Sequence, residues 1–584
     1  MNFTPRTEYP RPHFKRGRYQ ILNGEWEFAY DDAETGVARG LDAGAAAFDR
    51  KITVPFAYQT LSSGINERDF HEVLWYKREF ALDEGLREGG VLLCFNAVDY
   101  QADVWVNGRY AGGHTGGYTA FELDITDLAR RGEGNTLVVR ATDRCDVTQP
   151  RGKQYWKPAP DRCWYHGTSG IWQSVWLEGF GSARIAGALQ TADVDKNVFY
   201  TEVETRGRAD ALRMTVSYEG KAVKRQTVSL DGRFTKAAVE LYEQDCVDEI
   251  HLWSPEAPNL YYLTYELLDG DKAVDQIETY FAFRKIHADG SGRICLNNKI
   301  LYQRLVLDQG YWEDSDLTPP SAAALKEDIL LAKSMGFNGA RKHQKVEDPY
   351  FYYYADTLGF LVWGEMPSAY HYNMAEARGI TEQYLELVKQ LYNHPSVIVW
   401  APLNESWGTR KILTDCMQRD FARSLYYATK AVDKTRLVST NDGWENVTET
   451  DITSIHDYAD RGEGFKSKYA PDGIGDLYAM QRKQIAHGER YAGQPVILTE
   501  YGGIALDADA KNGAWGYNGA AKSAQEFLDR LASLNKGVYE CGFAGFCYTQ
   551  LTDVKQEVNG LLDKYHKPKF DPEAIRRLNL PAGF

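Results

Sequence analysis

Two antiparallel β-sandwiches followed by a (β/α)8 barrel is the architecture this sequence predicts, and three observations carry the prediction. Residues 1–182 hold short alternating runs broken by turn residues, and residues 183–285 repeat that pattern over the length of an immunoglobulin-like sandwich. From 286 to 584 the pattern changes to apolar runs alternating with amphipathic helices. At 584 residues the chain exceeds what one hydrophobic core usually serves, which favours such a division.

In the first part, Asn107-Gly108 lies between Val104-Trp105-Val106 and Arg109-Tyr110, and Asn-Gly in that setting is the strongest short hairpin signal. Further strands are expected at 91–96, 136–141 and 174–178, with no helix-period segment among them. The second part places strands at 214–218, 237–241 and 261–267, punctuated by Trp253-Ser254-Pro255-Glu256-Ala257-Pro258. In the third, Leu325, Ile329 and Ala332 share a helical face behind an N-cap at Ser321. Tyr384, Leu385, Val388 and Leu391 do so after Thr381, and Phe421, Leu425 and Ala428 form another such face. Buried parallel strands are expected near 299–306, 338–341, 359–365, 397–403, 437–440, 451–456, 496–499 and 543–548. Eight strands fit a (β/α)8 barrel, which needs roughly 250 residues.

Lys and Arg total 67 against 82 Asp and Glu, and the net charge of −15 disfavours nucleic acid and anionic membrane surfaces as partners. The N-terminal MNFTPRTEYPRPHFKRGRYQ has no apolar signal core, and no run approaches the ~18 apolar residues of a bilayer span, so a soluble cytoplasmic protein is expected. Eight scattered Cys without a CxxC pair read as buried thiols rather than a disulfide frame. No G-x-S-x-G elbow or Cys/His signature supports a serine or cysteine hydrolase.

In a (β/α)8 barrel the chemistry sits at the C-terminal ends of the strands, so a polar group closing an apolar strand is a candidate for it. Val397-Ile398-Val399-Trp400-Ala401-Pro402-Leu403 runs into Asn404-Glu405, closing the fourth strand. Val496-Ile497-Leu498-Thr499 runs into Glu500-Tyr501-Gly502-Gly503, closing the seventh. These strands face each other across the mouth. Glycoside hydrolysis needs such a pair, one carboxylic acid protonating the departing oxygen and one carboxylate attacking the anomeric carbon or activating water. The surroundings must keep one protonated and the other ionised. Glu405 and Glu500 are therefore the candidate catalytic residues. Asp308, Gln309, His456, Asp457, Tyr548, Gln550 and Asp553 each end or follow an expected barrel strand, and as hydrogen-bonding groups they suit a neutral sugar.

Several segments carry a resemblance to a known family. They are Phe95-Asn96-Ala97-Val98-Asp99-Tyr100, Val104-Trp105-Val106-Asn107-Gly108, Gly116-Gly117-Tyr118 and Gly170-Ile171-Trp172-Gln173 in the first part. Leu252-Trp253-Ser254-Pro255 and Phe283-Arg284-Lys285-Ile286 follow in the second, and Asn404-Glu405-Ser406 and Glu500-Tyr501-Gly502 in the third. With these the chain resembles glycoside hydrolase family 2, the family of β-galactosidases, β-glucuronidases and β-mannosidases, over nearly its whole length. The resemblance implies an N-terminal sugar-binding jelly roll, an immunoglobulin-like middle domain and a catalytic TIM barrel. It implies double displacement with retention, Glu405 as acid/base and Glu500 as nucleophile, roughly 5–5.5 Å apart. Asn404 then meets the sugar 2-hydroxyl, Arg341 keeps the nucleophile ionised, Tyr501 orients it, His343 reaches the sugar, and the protein is a homo-oligomer.

Departures from the family pattern bear on the sugar. Large β-galactosidases of the family carry Arg-Gly-x-Asn-x-His on the first strand, where this chain has Arg304-Leu305-Val306-Leu307-Asp308-Gln309. After the second-strand Arg it has Lys342-His343-Gln344-Lys345 instead of Ser-His-Tyr-Pro. Their magnesium positions fall on Ala369 and His371, so neither a catalytic metal nor another cofactor is expected. The uronate-holding Asn-x-Lys of β-glucuronidases falls on Glu557 and Asn559, ahead of Lys567-Pro568-Lys569, and a Glu there repels a uronate by roughly a kcal/mol or more. The expectation is a β-galactosidase-like retaining exo-hydrolase of neutral glycosides or oligosaccharides. A furanosidase (α-L-arabinofuranosidase or β-D-galactofuranosidase) is the alternative within the family, and a non-catalytic glycan-binding protein the alternative outside it.

Overall fold

The computed structural model describes residues 6–241, 250–469, 483–506 and 514–581. The first domain packs a four-stranded sheet (order Phe121–Asp124, Gly90–Phe95, Val175–Phe180, Tyr19–Ile21) on a six-stranded one (Arg50–Val54, Gly24–Tyr30, Val73–Ala81, Gly134–Thr142, Gln101–Val106, Arg109–Thr115), with all neighbours antiparallel. Strand pleating sends alternate residues inward, so Val91, Leu93 and Phe95 share a core with Val104, Val106, Leu137 and Val139. The Asn107-Gly108 hairpin forms, with φ of 53° and 74° at its two turn residues, the left-handed pair that matches strand twist.

The middle domain sets a five-stranded sheet against a three-stranded one (Ala183–Asp193, Val198–Gly207, Phe234–Glu240) around Phe199, Val203, Met214, Val216, Tyr265 and Ile277. An edge strand of the larger sheet, Phe14–Lys15, comes from the start of the chain and pairs with Lys272–Phe281. A ribbon of Ile286–Ala288, Ile294–Leu296 and Lys299–Ile300 then packs Ile286, Ile294 and Leu296 onto the barrel interior. This divides the first barrel strand expected over 299–306. Asn297 and Asn298 both take left-handed φ (53° and 62°), turning Lys299–Ile300 back onto the ribbon, and the barrel strand begins at Gln303.

The barrel strands are β1 (Gln303–Asp308), β2 (Gly339–Lys342), β3 (Leu361–Glu365), β4 (Val397–Ala401), β5 (Leu437–Val438), β6 (Thr453–His456), β7 (Val496–Gly502) and β8 (Gly545–Thr549). All pairings are parallel and β8 returns to β1. Between β5 and β6 the wall is closed by Asp451 N to Val438 O at 2.8 Å and His456 N to Gly443 O at 3.0 Å. Leu305, Leu307, Trp363, Val399, Ile497 and Cys547 fill the interior, while Val306, Ala340, Val362, Trp400, Leu498 and Phe546 pack against the helices. Those helices are α1 (Ala322–Ser334), α2 (Pro349–Leu358), α3 (Met374–Leu391), α4 (Cys416–Val432), α5 (Gly462–Tyr469), α6 (Ala524–Glu540) and α7 (Pro572–Asn579).

Ser321 caps α1, its Oγ accepting from Ala324 N at 3.2 Å. The start expected at Thr381 lies two turns inside α3, which is capped by Asn373 instead, and the Thr381 hydroxyl donates back to Ala377 O. Contrary to the expectation of buried thiols, Cys416 is exposed and Cys145 and Cys163 are half-buried, and none of the described cysteines is in a disulfide; Cys246 lies outside the described residues. Among the described residues no helix is long and apolar enough to cross a membrane.

Candidate active site

The ends of β2, β4, β6 and β7 converge on one polar cluster. Asn404 bridges to Asp442, and Glu405 N donates to Asp442 O at 2.8 Å, so the segment after β4 is bound to the loop after β5. Glu405 and Ser406 both take left-handed φ (52° and 56°), a conformation that costs a non-glycine residue about 1–2 kcal/mol. Ser406 holds it there, its N donating to Asn441 Oδ1 at 3.0 Å and its Oγ to Glu445 Oε2 at 2.6 Å. The turn lifts the Glu405 carboxylate, 19% exposed, toward the mouth.

Arg341, buried in the barrel interior, donates to Glu365 Oε2 and Glu500 Oε1 at 2.7 Å each and to Asn404 Oδ1 at 2.5 Å, and lies 3.1 Å from Asp442. Tyr458 donates to the other oxygen of Glu500 at 2.6 Å. Burial alone raises a carboxylate, but the charges of His456 and Arg341 and the Tyr458 hydroxyl outweigh it and hold Glu500 below its ordinary range. His456 stands between the two glutamates, Nδ1 2.8 Å from Glu405 and 3.5 Å from Glu500, while Nε2 is 3.0 Å from Asp442. Burial opposes its charge, yet Glu500 and the bonds to Asp442 and Glu405 push its pKa up to about 9. One oxygen of Glu405, one of Glu500 and an imidazole nitrogen of His456 lie within 4.8 Å of one another. That spacing also suits a metal ion.

His343 joins through Glu365, its Nδ1 3.0 Å from that carboxylate, and burial with Arg341 nearby holds the imidazole neutral. Gln309 and Gln550 are buried with Oε1 unpaired, Gln550 Nε2 donating to Asn559 Oδ1. Five expected residues are engaged by other partners. Tyr501 follows an inward Glu500 on a pleated strand, so it points outward and its hydroxyl donates to Asn535 on α6 at 2.6 Å. Tyr548 likewise follows the inward Cys547 and packs edge-on against Tyr501. Asp457 accepts from Lys468 and Tyr469 of α5, and Asp308 from Lys342 and Gly310 N. Asp553 is likewise engaged, by Lys569 and Gly560 N.

Sequence reasoning missed Glu365, Asp442, Tyr458 and Lys153. Glu365 closes the apolar run of β3 and carried the same signal as Glu405. Tyr458 lies two residues beyond His456, whereas Asp442 is hidden in a Thr-Asn-Asp-Gly sequence that reads as a turn. Lys153 belongs to the first domain, whose segment 145–169 lies over the barrel mouth. Arg151 N and Gly152 N donate to Ser368 O at 2.9 and 3.0 Å, and Tyr165 donates to Glu557 Oε2 at 2.6 Å. Burial would lower the Lys153 ammonium, but Cys163, Glu557, Glu500 and Glu405 outweigh it, and it has no hydrogen bond or ion pair among the described residues.

A TIM barrel with paired glutamates at its mouth, behind two sandwiches, is an arrangement that fits glycoside hydrolysis. The chain matches the glycosyl hydrolases family 2 sugar binding domain over residues 19–178, a glycosyl hydrolases family 2 model over 183–284 and the family 2 TIM barrel domain over 291–515. It belongs to glycoside hydrolase family 2. It is 23% identical over 402 residues to a β-galactosidase of Thermoanaerobacter pseudethanolicus, covering 66% of this chain and 52% of that one. It is 22% identical over 509 residues to a β-glucuronidase of Streptococcus agalactiae, covering 78% and 79%. The fold is similar to that of a Ruminococcus gnavus β-glucuronidase bound to an N1-substituted uronic isofagomine, with a TM-score of 0.77 at 20% identity over 98% of this chain and 99% of that one. The chain spans about half the length of several curated relatives it matches.

Proposed function

We propose that this glycosidase is a retaining exo-hydrolase releasing a terminal neutral sugar, β-galactosidase-like, with Glu500 as nucleophile and Glu405 as acid/base. What carries the reading is the closeness of the two carboxylates, within 4.8 Å oxygen to oxygen. Retaining enzymes need about 5–5.5 Å between the groups, and inverting ones about 6.5–9.5 Å to admit a water. Glu500, held ionised by Arg341 and Tyr458, attacks the anomeric carbon as the glycosidic bond breaks, and Glu405 gives its proton to the departing oxygen. Glu405 then takes a proton from water, whose oxygen displaces Glu500 from the sugar. Asn404 Oδ1 is committed to Arg341, which leaves its Nδ2 to donate to the sugar 2-hydroxyl as positive charge develops on the ring.

A second reading, a β-glucuronidase, is favoured by the names of several relatives and by the unpaired Lys153 ammonium. Against it stands Glu557, whose buried carboxylate accepts from Tyr165 and Asn559 where the uronate-binding motif falls. A panel of 4-nitrophenyl β-D-galactopyranoside, β-D-galactofuranoside, α-L-arabinofuranoside and β-D-glucuronide separates these readings; dominant turnover of the glucuronide overturns the neutral one. Glu500→Gln is expected to lower kcat at least about a thousandfold. Glu405→Ala is expected to be rescued in part by azide, and full activity in either variant refutes its role.

A further inference from the structure

Glu405 is flanked on one side by an aromatic wall that the hydrolytic chemistry leaves unused. Its Oε1 is engaged by His456, on the side of Glu500, and its Oε2 accepts from the indole of Trp407 at 3.2 Å. From Trp407 the wall continues into the first domain. Trp164 meets Trp407 edge-to-face with centroids 5.0 Å apart, Tyr370 meets Trp407 at 5.3 Å, and Trp156 lies 4.5 Å from Tyr370. The Trp164 indole donates to the Tyr370 hydroxyl at 2.9 Å, and that hydroxyl donates to Gly152 O, so the rings are braced across the domain boundary. Trp156, Trp164 and Trp407 are each only half-buried. Arg410 covers part of Trp407, its guanidinium 4.3 Å from the ring centroid.

The departing oxygen must sit beside the acid/base carboxyl, so whatever is attached to it lies on the side of Glu405 away from Glu500. We infer that Trp164, with Trp407 and Tyr370, forms a leaving-group subsite that takes a flat ring with an apolar face, an aryl aglycone or the next sugar. This rests on the assignment of Glu405 as acid/base. Apolar area and π-face contact supply the affinity there, and hydrogen bonding to that ring is secondary.

The test compares three substrates carrying the sugar that the panel identifies: the 4-nitrophenyl glycoside, a disaccharide and the glycosyl fluoride, which has no leaving-group ring. Trp164→Ala is expected to cut kcat/KM on the first two roughly tenfold more than on the fluoride, the scale of one lost aromatic contact. Trp164→Phe is expected to recover most of that difference. A loss confined to the aryl glycoside supports the subsite and assigns it to aryl leaving groups. Equal loss on all three substrates, or no loss on the ring-bearing pair, overturns the subsite. The acid/base assignment is read separately from Glu405→Ala, which should spare the fluoride relative to the disaccharide. If it does not, that assignment fails whatever Trp164→Ala has shown.

Discussion

His456 carries a positive charge among Glu405, Glu500 and Asp442, and that charge has a pH window. Its folded pKa of about 9 lies above the ordinary 6.5, so its contribution to stability is complete below 6.5 and is lost as pH rises through about 9. The shift corresponds to about 3 kcal/mol when complete. His456→Asn is therefore expected to melt well below the wild type at pH 6, with the gap closing by pH 9.5, as followed by thermal denaturation across that range. A gap independent of pH would show that the imidazole is neutral. The same site shows what a strand-end argument reads and what it leaves out. Glu405 and Glu500 were legible because each closes an apolar strand, whereas Arg341 and Asn404 came in through the family resemblance. Tyr501 and Tyr548 were misplaced because strand ends were taken without their alternation, although the neighbouring inward Glu500 and Cys547 fix both tyrosines outward.

Among the elements, the barrel strands were legible wherever apolar runs were long, and their bounds failed where a turn intervened. Asn297-Asn298 is such a turn, and it diverts Lys299–Ile300 from β1 to the ribbon. The segment 145–169 was not legible as part of the site, because its role depends on contacts made some 220 residues later in the chain. Gly152 lies within those contacts. It has φ +59°, and a Cβ there would lie 2.2 Å from Gln344 O. Gly152→Ala is expected to push the segment off the mouth, lowering kcat/KM more than about tenfold while the melting temperature falls only a few degrees, since the cores of both domains are untouched. Wild-type kinetics in this variant would mean that the first domain contributes nothing to turnover.

Across the whole molecule, buried charges join the domains. Tyr280 of the middle domain donates to Asp356 on α2 at 2.7 Å, and Arg284, at the exit from that domain, donates to the carbonyls of Pro395, Val397 and Thr435. Arg16, 2% exposed, joins the two sandwiches, reaching Glu178 at 2.7 Å and Asp275 at 2.8 Å. Removing one partner of a buried pair costs about 3–5 kcal/mol, because the other charge is left without compensation. Glu178 keeps Arg11 at 2.8 Å, so Arg16→Ala is expected near the lower end of that range, measured by urea denaturation at pH 7. Burial would raise the Glu178 carboxyl, yet Arg11 and Arg16 hold it down to about 2. Its contribution is thus complete above the ordinary 4.5 and is lost as pH falls through about 2. The deficit of Arg16→Ala relative to the wild type should accordingly shrink between pH 5 and pH 2.5. A deficit that stays constant over that interval would place the stabilisation in the packing of the Arg16 side chain instead of in its charge.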